Sequence, residues 1–180
     1  MEFYEQNVEY GYKYDSSAIV SDGTPAPVLI DDVHVYEPST RPGGPLPHAW
    51  LDRLGKRVAL CDIAGHGHFL LIAGEEGNAW YEAAKQIAQE QGLPLEAIRV
   101  SPFAGDWLDL RFDWLRQREI SATGAVLVRP DRYIAWRALG ASENPRAALE
   151  SALNQILVRY PESGPQKVES SARPLSTLQP

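Results

Sequence analysis

The alternation of apolar and polar residues predicts a βαβ unit in the middle of the chain. Residues 68–74 (HFLLIAG) form a continuous apolar run, which is typical of a strand buried on both faces. Residues 95–100 (LEAIRV) predict a second strand. Between them, one apolar stripe at helical spacing comprises Ala79, Ala83, Ala84, Ile87 and Ala88. We expect Asn78 to cap this helix and Gly92 with Pro94 to end it. A strand, a helix and a strand in this order imply parallel pairing of the two strands.

The remaining apolar patterns complete a thioredoxin-like plan. Residues 57–63 (RVALCDI) predict an earlier strand, and residues 106–119 predict a helix with Leu108, Phe112 and Leu115 on one face. Residues 124–137 (GAVLVRPDRYIAWR) predict a β-hairpin that turns at Pro130-Asp131-Arg132. Its side chains available for the core are Val126, Val128, Ile134 and Trp136.

A final helix has Asn144 as its expected N-cap and Pro145 at its first position. Its apolar stripe comprises Leu149, Ala152, Leu153, Ile156 and Leu157. The order strand, strand, helix, strand, helix, hairpin, helix is the plan of an α/β, thioredoxin-like domain.

The two ends of the chain differ in composition from this middle part. Residues 1–40 predict an extended arm, in which Tyr10, Tyr12 and Tyr14 alternate as on one side of a strand. The arm either packs on its own domain or belongs to a part of a larger protein. Residues 41–160 form the predicted thioredoxin-like domain. Residues 161–180 are polar and rich in Pro and Ser, which predicts a disordered tail.

Composition narrows the possible partners and the compartment. The chain is 44% apolar and 23% charged, as in ordinary globular proteins. Its net charge of −7 argues against nucleic acid or an anionic membrane as a partner. We expect no signal peptide and no membrane span. The single cysteine excludes a disulfide within the chain and fits a reducing cytoplasm.

Three segments carry a resemblance to a known family. Residues 41–51 (RPGGPLPHAWL) and the following LGKRVALCDIAGHG resemble the opening of thioredoxin-like and peroxiredoxin-like proteins. More narrowly, SSAIVSDGTP, PSTRPGGPLPHAWL and the hairpin, in that order, resemble the C-terminal part of FAD-dependent aromatic hydroxylases. These are flavoprotein monooxygenases of the p-hydroxybenzoate hydroxylase type, especially phenol, chlorophenol and polyketide hydroxylases. The residues that match the family motifs are Pro42, Gly43, Pro47, His48, Leu51, Asp62, Arg129, Pro130, Asp131, Trp136 and Arg137.

The resemblance implies a structural role in a larger enzyme. Such a domain would cover the flavin and substrate domains of the same enzyme and contribute to subunit contacts, with a homodimer as one possibility. The implied parent reaction is the NAD(P)H- and O₂-dependent hydroxylation of a phenolic ring, with FAD held outside this chain. One residue departs from the motif: Arg132 replaces a glycine that would suit a type I′ turn. We expect that change to alter the turn locally and to leave the fold intact.

Other chemistries have weaker support from the residues. Cys61 has no partner cysteine and lies in a predicted strand, which argues against thiol exchange. His66 and His68, with Asp62 and His48, could supply metal ligands, but their glycine-rich turn favours solvated histidines.

The segment GEEGNAW is not a dinucleotide-binding turn, because its carboxylates would repel a phosphate. No Gly-x-Ser-x-Gly motif supports a hydrolase. Arg129 and Arg137 could bind an anion, although ion pairs with neighbours such as Asp131 are the commoner role.

We therefore expect no catalytic residue, no metal site and no cofactor site in this chain. The expected role is that of a domain from a flavin hydroxylase without the flavin-binding portion. The alternative is a free-standing thioredoxin-fold binding module without thiol redox activity.

Overall fold

The computed structural model of the chain describes residues 6–25, 27–28, 31 and 33–158. Its strands are β1 (Trp50–Arg53), β2 (Lys56–Ala59), β3 (Phe69–Ala73), β4 (Leu95–Ser101), β5 (Trp107–Leu108), β6 (Ala125–Val128) and β7 (Ile134–Ala138). Its helices are α1 (Gln6–Tyr10), α2 (Leu60–Ile63), α3 (Asn78–Gln91), α4 (Asp113–Gln117) and α5 (Pro145–Ile156). The predicted tail, residues 161–180, lies outside the described residues.

One mixed sheet of seven strands organises the fold, in the order β2-β1-β5-β4-β3-β6-β7. β3 pairs in parallel with β4 and antiparallel with β6, and β6 pairs antiparallel with β7. This confirms the predicted βαβ unit and hairpin, and the arrangement is compatible with a thioredoxin-like fold. β1, β2 and β5 extend the sheet beyond β4.

The sheet separates two apolar cores. On one face, Leu71, Trp80 and Leu127 pack with α5 residues such as Leu149. On the other face, Leu51, Leu70, Val126 and Trp114 of α4 form the second core. All five residues of β3 are buried, as its continuous apolar run predicted, because both faces of that strand are covered.

A bulge in the hairpin divides its side chains between the two cores. The register shifts between Leu127 and Val128, which face Trp136 and Ile134 respectively. A regular strand would place Ile134 and Trp136 on one face. With the bulge, Ile134 packs in one core and Trp136 in the other. All four hairpin residues predicted to be available for the core are buried.

Helix ends are predicted well for α5 and less well for α3. The Asn144 side chain accepts a hydrogen bond from the Ala147 N–H at 3.0 Å, with Pro145 in the first turn, as expected. In α3 the N-cap is Gly77 rather than Asn78, and the C-cap Gly92 has a φ of 61°. Trp80 is buried in the α3 stripe, whereas Ala79 is exposed.

The predicted helix over residues 106–119 is mostly wrong. Leu108 belongs to β5, and only Asp113–Gln117 is helical. The buried Asp109 determines this start, because its carboxylate accepts the N–H groups of Asp113 at 2.8 Å and Leu115 at 2.9 Å. Phe112 is left in the left-handed region, with φ 59°, and is partly exposed.

One predicted strand is too long, and one observed strand is absent from the sequence prediction. The strand predicted over residues 57–63 ends at Ala59, and Leu60–Ile63 forms a helical turn in which the Ala64 N–H bonds to the Leu60 carbonyl. Leu60 is fully buried there. β1 (Trp50–Arg53) was not predicted, because it follows directly on a Pro-rich segment.

The N-terminal arm packs on the domain without forming the predicted strand. Tyr10 ends the short helix α1, while Tyr12 and Tyr14 lie in irregular chain. The Val20 N–H donates to the Ala135 carbonyl of β7 at 2.8 Å, and the Tyr14 N–H donates to Gly43 at the same distance. Each of these tyrosines contacts another tyrosine ring: Tyr10 contacts Tyr36, and Tyr12 contacts Tyr14. These contacts form without a regular strand.

Candidate functional site

The second motif segment, PSTRPGGPLPHAWL, and the third, the hairpin, come together along the outer edge of β7. The Gly43 N–H donates to the Ile134 carbonyl at 2.8 Å, and the Ile134 N–H donates to Gly44 at 2.9 Å. The Leu46 N–H continues this pairing to the Arg132 carbonyl at 2.9 Å. The segment therefore covers polar groups that an edge strand would otherwise expose.

Gly43 is required by its backbone conformation and by its neighbour. Its φ is 94°, and a Cβ added there would lie 2.5 Å from the Tyr14 carbonyl oxygen. Any larger residue would have to displace the arm. Pro42, next to it, lines a cleft of about 410 Å³ between the arm and the domain.

The other residues of this motif take separate structural positions. Pro47 and Leu51 are buried, and Leu51 contributes to the second core. His48 is exposed and contacts the Trp50 ring edge to face at 5.0 Å between centroids. Its carbonyl accepts a hydrogen bond from the Gln117 side chain at 3.1 Å.

The hairpin turn is not type I′, in line with the expectation that Arg132 alters it locally. Only Arg132 has a positive φ, of 69°, among the non-glycine residues of this turn, which rules out type I′. The Arg132 N–H donates to the Arg129 carbonyl at 2.9 Å, and the Arg129 N–H donates to Tyr133 at 2.8 Å. Pro130 and Asp131 thus occupy the centre of the turn, with Arg132 as the left-handed residue that follows.

Arg129 is engaged by groups on its own side of the turn. Its guanidinium pairs with the Asp131 carboxylate at 2.7 Å and lies 5.8 Å from the centroid of the Tyr14 ring. Tyr14 in turn contacts the Tyr133 ring at 4.5 Å. This end of the hairpin holds the arm and leaves no free anion-binding guanidinium at Arg129.

Arg137, at the other end of the hairpin, lies in a buried ionic network. Its side chain is 6% exposed and pairs with Asp22 at 2.6 Å and Glu119 at 2.7 Å. It also donates to the Thr40 hydroxyl at 3.2 Å. Ser39 donates to Glu119 at 2.6 Å, so the network joins the arm, β7 and the loop after α4.

The carboxylates in this region are held in their charged form. Burial alone would raise the pKa of Asp22, but hydrogen bonds from Thr24 and Arg137 outweigh it and hold that pKa below 3.8, its ordinary value. Hydrogen bonds from the buried Arg118 lower the pKa of Glu75, against the opposing effect of burial. Both pairs are fixed ionic contacts within the protein.

The candidate thiol and metal residues form no reactive cluster. Cys61 is half-buried on α2, not in a strand, and its Sγ lies 3.9 Å from Asp62. His66 contacts the Asp62 carbonyl at 3.0 Å, and His68 lies 3.5 Å from Glu96. Within the described part of the chain, no three His, Cys, Asp or Glu side chains are grouped to hold a metal ion.

The loop between β3 and α3 does not fit a dinucleotide phosphate. The N–H groups of Gly74 and Glu76 donate to the Gly124 and Ala122 carbonyls at 3.0 and 2.9 Å. The Gly77 N–H donates back to Gly74 at 3.0 Å. A phosphate site needs free N–H groups and no adjacent carboxylate, and this loop has engaged N–H groups next to Glu75.

Sequence reasoning missed several residues that organise this region. These residues are Asp109, Asp22, Thr40 and Arg118. The first two accept backbone N–H groups in turns, and the Thr40 hydroxyl at the end of the arm donates to the Arg118 carbonyl through a buried hydrogen bond. The SDGT segment does carry the signal of an Asx turn, in which Asp22 accepts the Thr24 N–H at 2.9 Å. The partners at Arg137 and Glu119 are too distant in sequence for a local signal.

Trp136 anchors the hairpin to α3. Its ring meets the Trp80 ring edge to face at 5.3 Å, and the Trp80 indole N–H donates to the Gly140 carbonyl at 3.2 Å.

Among the described residues, no helix has the length and apolarity needed to cross a bilayer.

Comparison with known proteins agrees with the motif resemblance. The family model described as aromatic-ring hydroxylase, C-terminal, matches residues 39–159. The 2,4-dichlorophenol 6-monooxygenase of Delftia acidovorans is 42% identical over 151 residues, which cover 83% of this chain and 26% of that protein. The phenol 2-monooxygenase of Pseudomonas sp. (strain EST1001) is 40% identical over 85% of this chain and 25% of its own length.

A solved structure shows the same fold. The flavin-dependent monooxygenase PieE, in complex with FAD and substrate, superimposes with a TM-score of 0.77 and 35% identity. The match covers 87% of this chain and 27% of PieE. The chain thus spans about a quarter of the length of the relatives it matches. The chain belongs to the family of C-terminal domains of aromatic-ring hydroxylases.

Proposed function

We propose that this chain is the noncatalytic, structural C-terminal domain of an FAD-dependent hydroxylase that acts on phenolic rings with NAD(P)H and O₂. It packs against the flavin and substrate domains of that enzyme and takes part in subunit contacts. The observation that carries the proposal is the match to about a quarter of each phenol-type relative. The remaining three quarters would hold FAD and the substrate.

The chemistry of the described residues supports a structural role. The two motif arginines are committed to carboxylates of the chain itself. The β3–α3 loop uses its N–H groups internally, so it does not fit the pyrophosphate of FAD. The motif residues accordingly join the arm, the segment before β1 and the hairpin.

A direct test uses the purified chain with FAD, NADPH and a panel of phenols. We expect no flavin absorbance after desalting and no NADPH oxidation above the rate without protein. Retained flavin or phenol-dependent NADPH oxidation would contradict the noncatalytic assignment.

A second test asks whether the chain supports flavin chemistry in a larger protein. In a hybrid enzyme, this chain replaces the segment of the Delftia acidovorans relative that aligns with it. We expect the hybrid to retain FAD and to oxidise NADPH in the presence of 2,4-dichlorophenol, whereas the relative without that segment is unstable. A hybrid that behaves like the shortened relative would favour a free-standing binding module instead.

A further inference from the structure

Two adjoining clefts form a continuous face across β1, β5 and α3. One cleft, of about 570 Å³, is lined by Leu54, Phe103 and Leu108. The other, of about 500 Å³, is lined by Tyr81, Lys85 and Trp107. Both include Arg53 and Asp106 in their walls, which joins them. We call this the Leu54–Phe103 face, defined by Arg53, Leu54, Tyr81, Lys85, Phe103 and Trp107.

This face exposes large apolar side chains that the fold does not bury. Leu54 is 96% exposed and Phe103 is 86% exposed. Leu54 also adopts a φ of 51°, in the left-handed region that disfavours residues with a Cβ. Exposed apolar side chains grouped around clefts are typical of surfaces that bind another protein.

The same face carries two cations, Arg53 and Lys85, that lie over aromatic rings. Arg53 lies 5.3 Å from the Trp107 ring centroid and Lys85 lies 5.0 Å from that of Tyr81. In the part of the chain that the structure describes, neither cation forms an ion pair. Three carboxylates also line the clefts: Asp106 pairs with Arg99 at 3.4 Å, Asp52 lies 3.7 Å from Arg57, and Glu96 lies 3.5 Å from His68.

The composition of this face indicates the chemistry of the partner that it would bind. Arginine with tryptophan and tyrosine is the composition of energetically important interface centres. The face therefore fits a protein surface with exposed carboxylates and apolar side chains.

We propose that the Leu54–Phe103 face binds the flavin- and substrate-binding part of the hydroxylase. Apolar side chains of that part would fill the two clefts, and its carboxylates would pair with Arg53 and Lys85. This inference rests on the proposed function and adds the surface through which it operates. The part of the relatives that this chain does not match, about three quarters of their length, supplies the occupant.

The test compares single substitutions in the free chain and in the hybrid enzyme. Phe103→Asp and Arg53→Glu change the face, and Leu139→Asp is the matched control, since Leu139 is 45% exposed and follows β7 at the opposite edge of the sheet. Because the substituted side chains are exposed, all three variants should melt within about 2 °C of the unsubstituted free chain.

In the hybrid, we expect Phe103→Asp and Arg53→Glu to lower the melting temperature by several degrees and to speed FAD loss, while Leu139→Asp changes neither. Lys85 should be acetylated readily in the free chain and be protected in the unsubstituted hybrid. These results together would support the assigned face.

Three outcomes overturn the inference and separate it from the proposed function. If the unsubstituted hybrid retains FAD but the face variants behave like Leu139→Asp, this face is not the contact and the proposed function stands. If the unsubstituted hybrid fails to retain FAD, both fail. If the free chain is a dimer that Phe103→Asp converts to a monomer, the occupant is a second copy of the chain.

Discussion

At the scale of single residues, the two motif arginines look equivalent in sequence and differ in their surroundings. Arg129 is 22% exposed and pairs with Asp131 two residues away. Arg137 is 6% exposed and pairs with Asp22, which is 3% exposed and 115 residues away. Burial makes the second pair far more sensitive to loss of one partner.

Replacing Arg137 should therefore destabilise the chain strongly. We expect Arg137→Met to lower the free energy of unfolding by about 3–5 kcal/mol, because the buried Asp22 carboxylate loses its cation. Urea denaturation measures the change. The control Arg129→Met should cost no more than about 1 kcal/mol. Equal decreases in the free energy of unfolding for the two variants would show that burial does not increase the contribution of the Arg137–Asp22 pair to stability.

The lowered pKa of Asp22 predicts the direction of a pH effect. The folded chain binds a proton at Asp22 less readily than the unfolded chain does. The ionised Asp22 therefore stabilises the fold above pH 3.8, and this stabilisation is lost as the pH falls through the pKa of Asp22 in the folded chain. The difference in unfolding free energy between wild type and Asp22→Asn should thus be largest at neutral pH. Urea titrations between about pH 7 and pH 3 follow it.

A matched control for this effect is the exposed Asp15. Asp15→Asn should change the free energy of unfolding by less than about 0.5 kcal/mol throughout that range. A wild-type to Asp22→Asn difference that stays constant with pH would contradict the ionic assignment.

At the scale of elements, the hairpin turn holds one residue in an unfavourable conformation. Arg132 has a φ of 69°, where a glycine would be free of the Cβ penalty. Its side chain compensates only weakly, through a hydrogen bond of 3.4 Å to the Ala64 carbonyl and contact with Gly65.

We expect Arg132→Gly to stabilise the chain by about 1 kcal/mol, as measured by the urea midpoint, because it relieves the left-handed conformation. Arg132→Ala keeps the Cβ and removes the side-chain contacts, so it should not stabilise. If glycine destabilises as much as alanine, the contacts with Ala64 and Gly65 outweigh the backbone cost.

At the scale of the whole molecule, hydrogen bonds and ion pairs hold the arm on the domain. Backbone hydrogen bonds from Tyr14 and Val20 reach Gly43 and Ala135 at 2.8 Å. Arg137 of β7 adds ionic contacts to Asp22 of the arm and to Glu119. The arm thus supplies a hydrogen-bond donor to the edge strand β7.

Amide hydrogen exchange can test this coupling. The Val20 N–H should exchange slowly, like that of Gly43, whereas the Gly23 N–H, which donates to the exposed Ser21 hydroxyl nearby, should exchange quickly. In Arg137→Met, exchange at Val20 should accelerate more than at Ile72 in the central strand. Fast exchange at Val20 in the wild type would show that the arm is not held by β7.

Local patterns determined much of the fold. The continuous apolar run of β3, the stripe of α3 and the Asn144-Pro145 start of α5 are short-range signals, and each of these elements forms, although the N-cap of α3 is Gly77 and not Asn78. The motif residues also identified the family, because their order and spacing lie in the sequence itself.

Only the tertiary structure decided the contacts between distant segments. The bulge that sends Ile134 and Trp136 to opposite cores depends on pairing with β6, and the shortened α4 depends on the buried Asp109. Likewise, the pairing of Asp22 with Arg137 joins residues 115 positions apart. Sequence periodicity reports which face of one element is apolar, but long-range pairing depends on which segments the folded chain brings within hydrogen-bond distance.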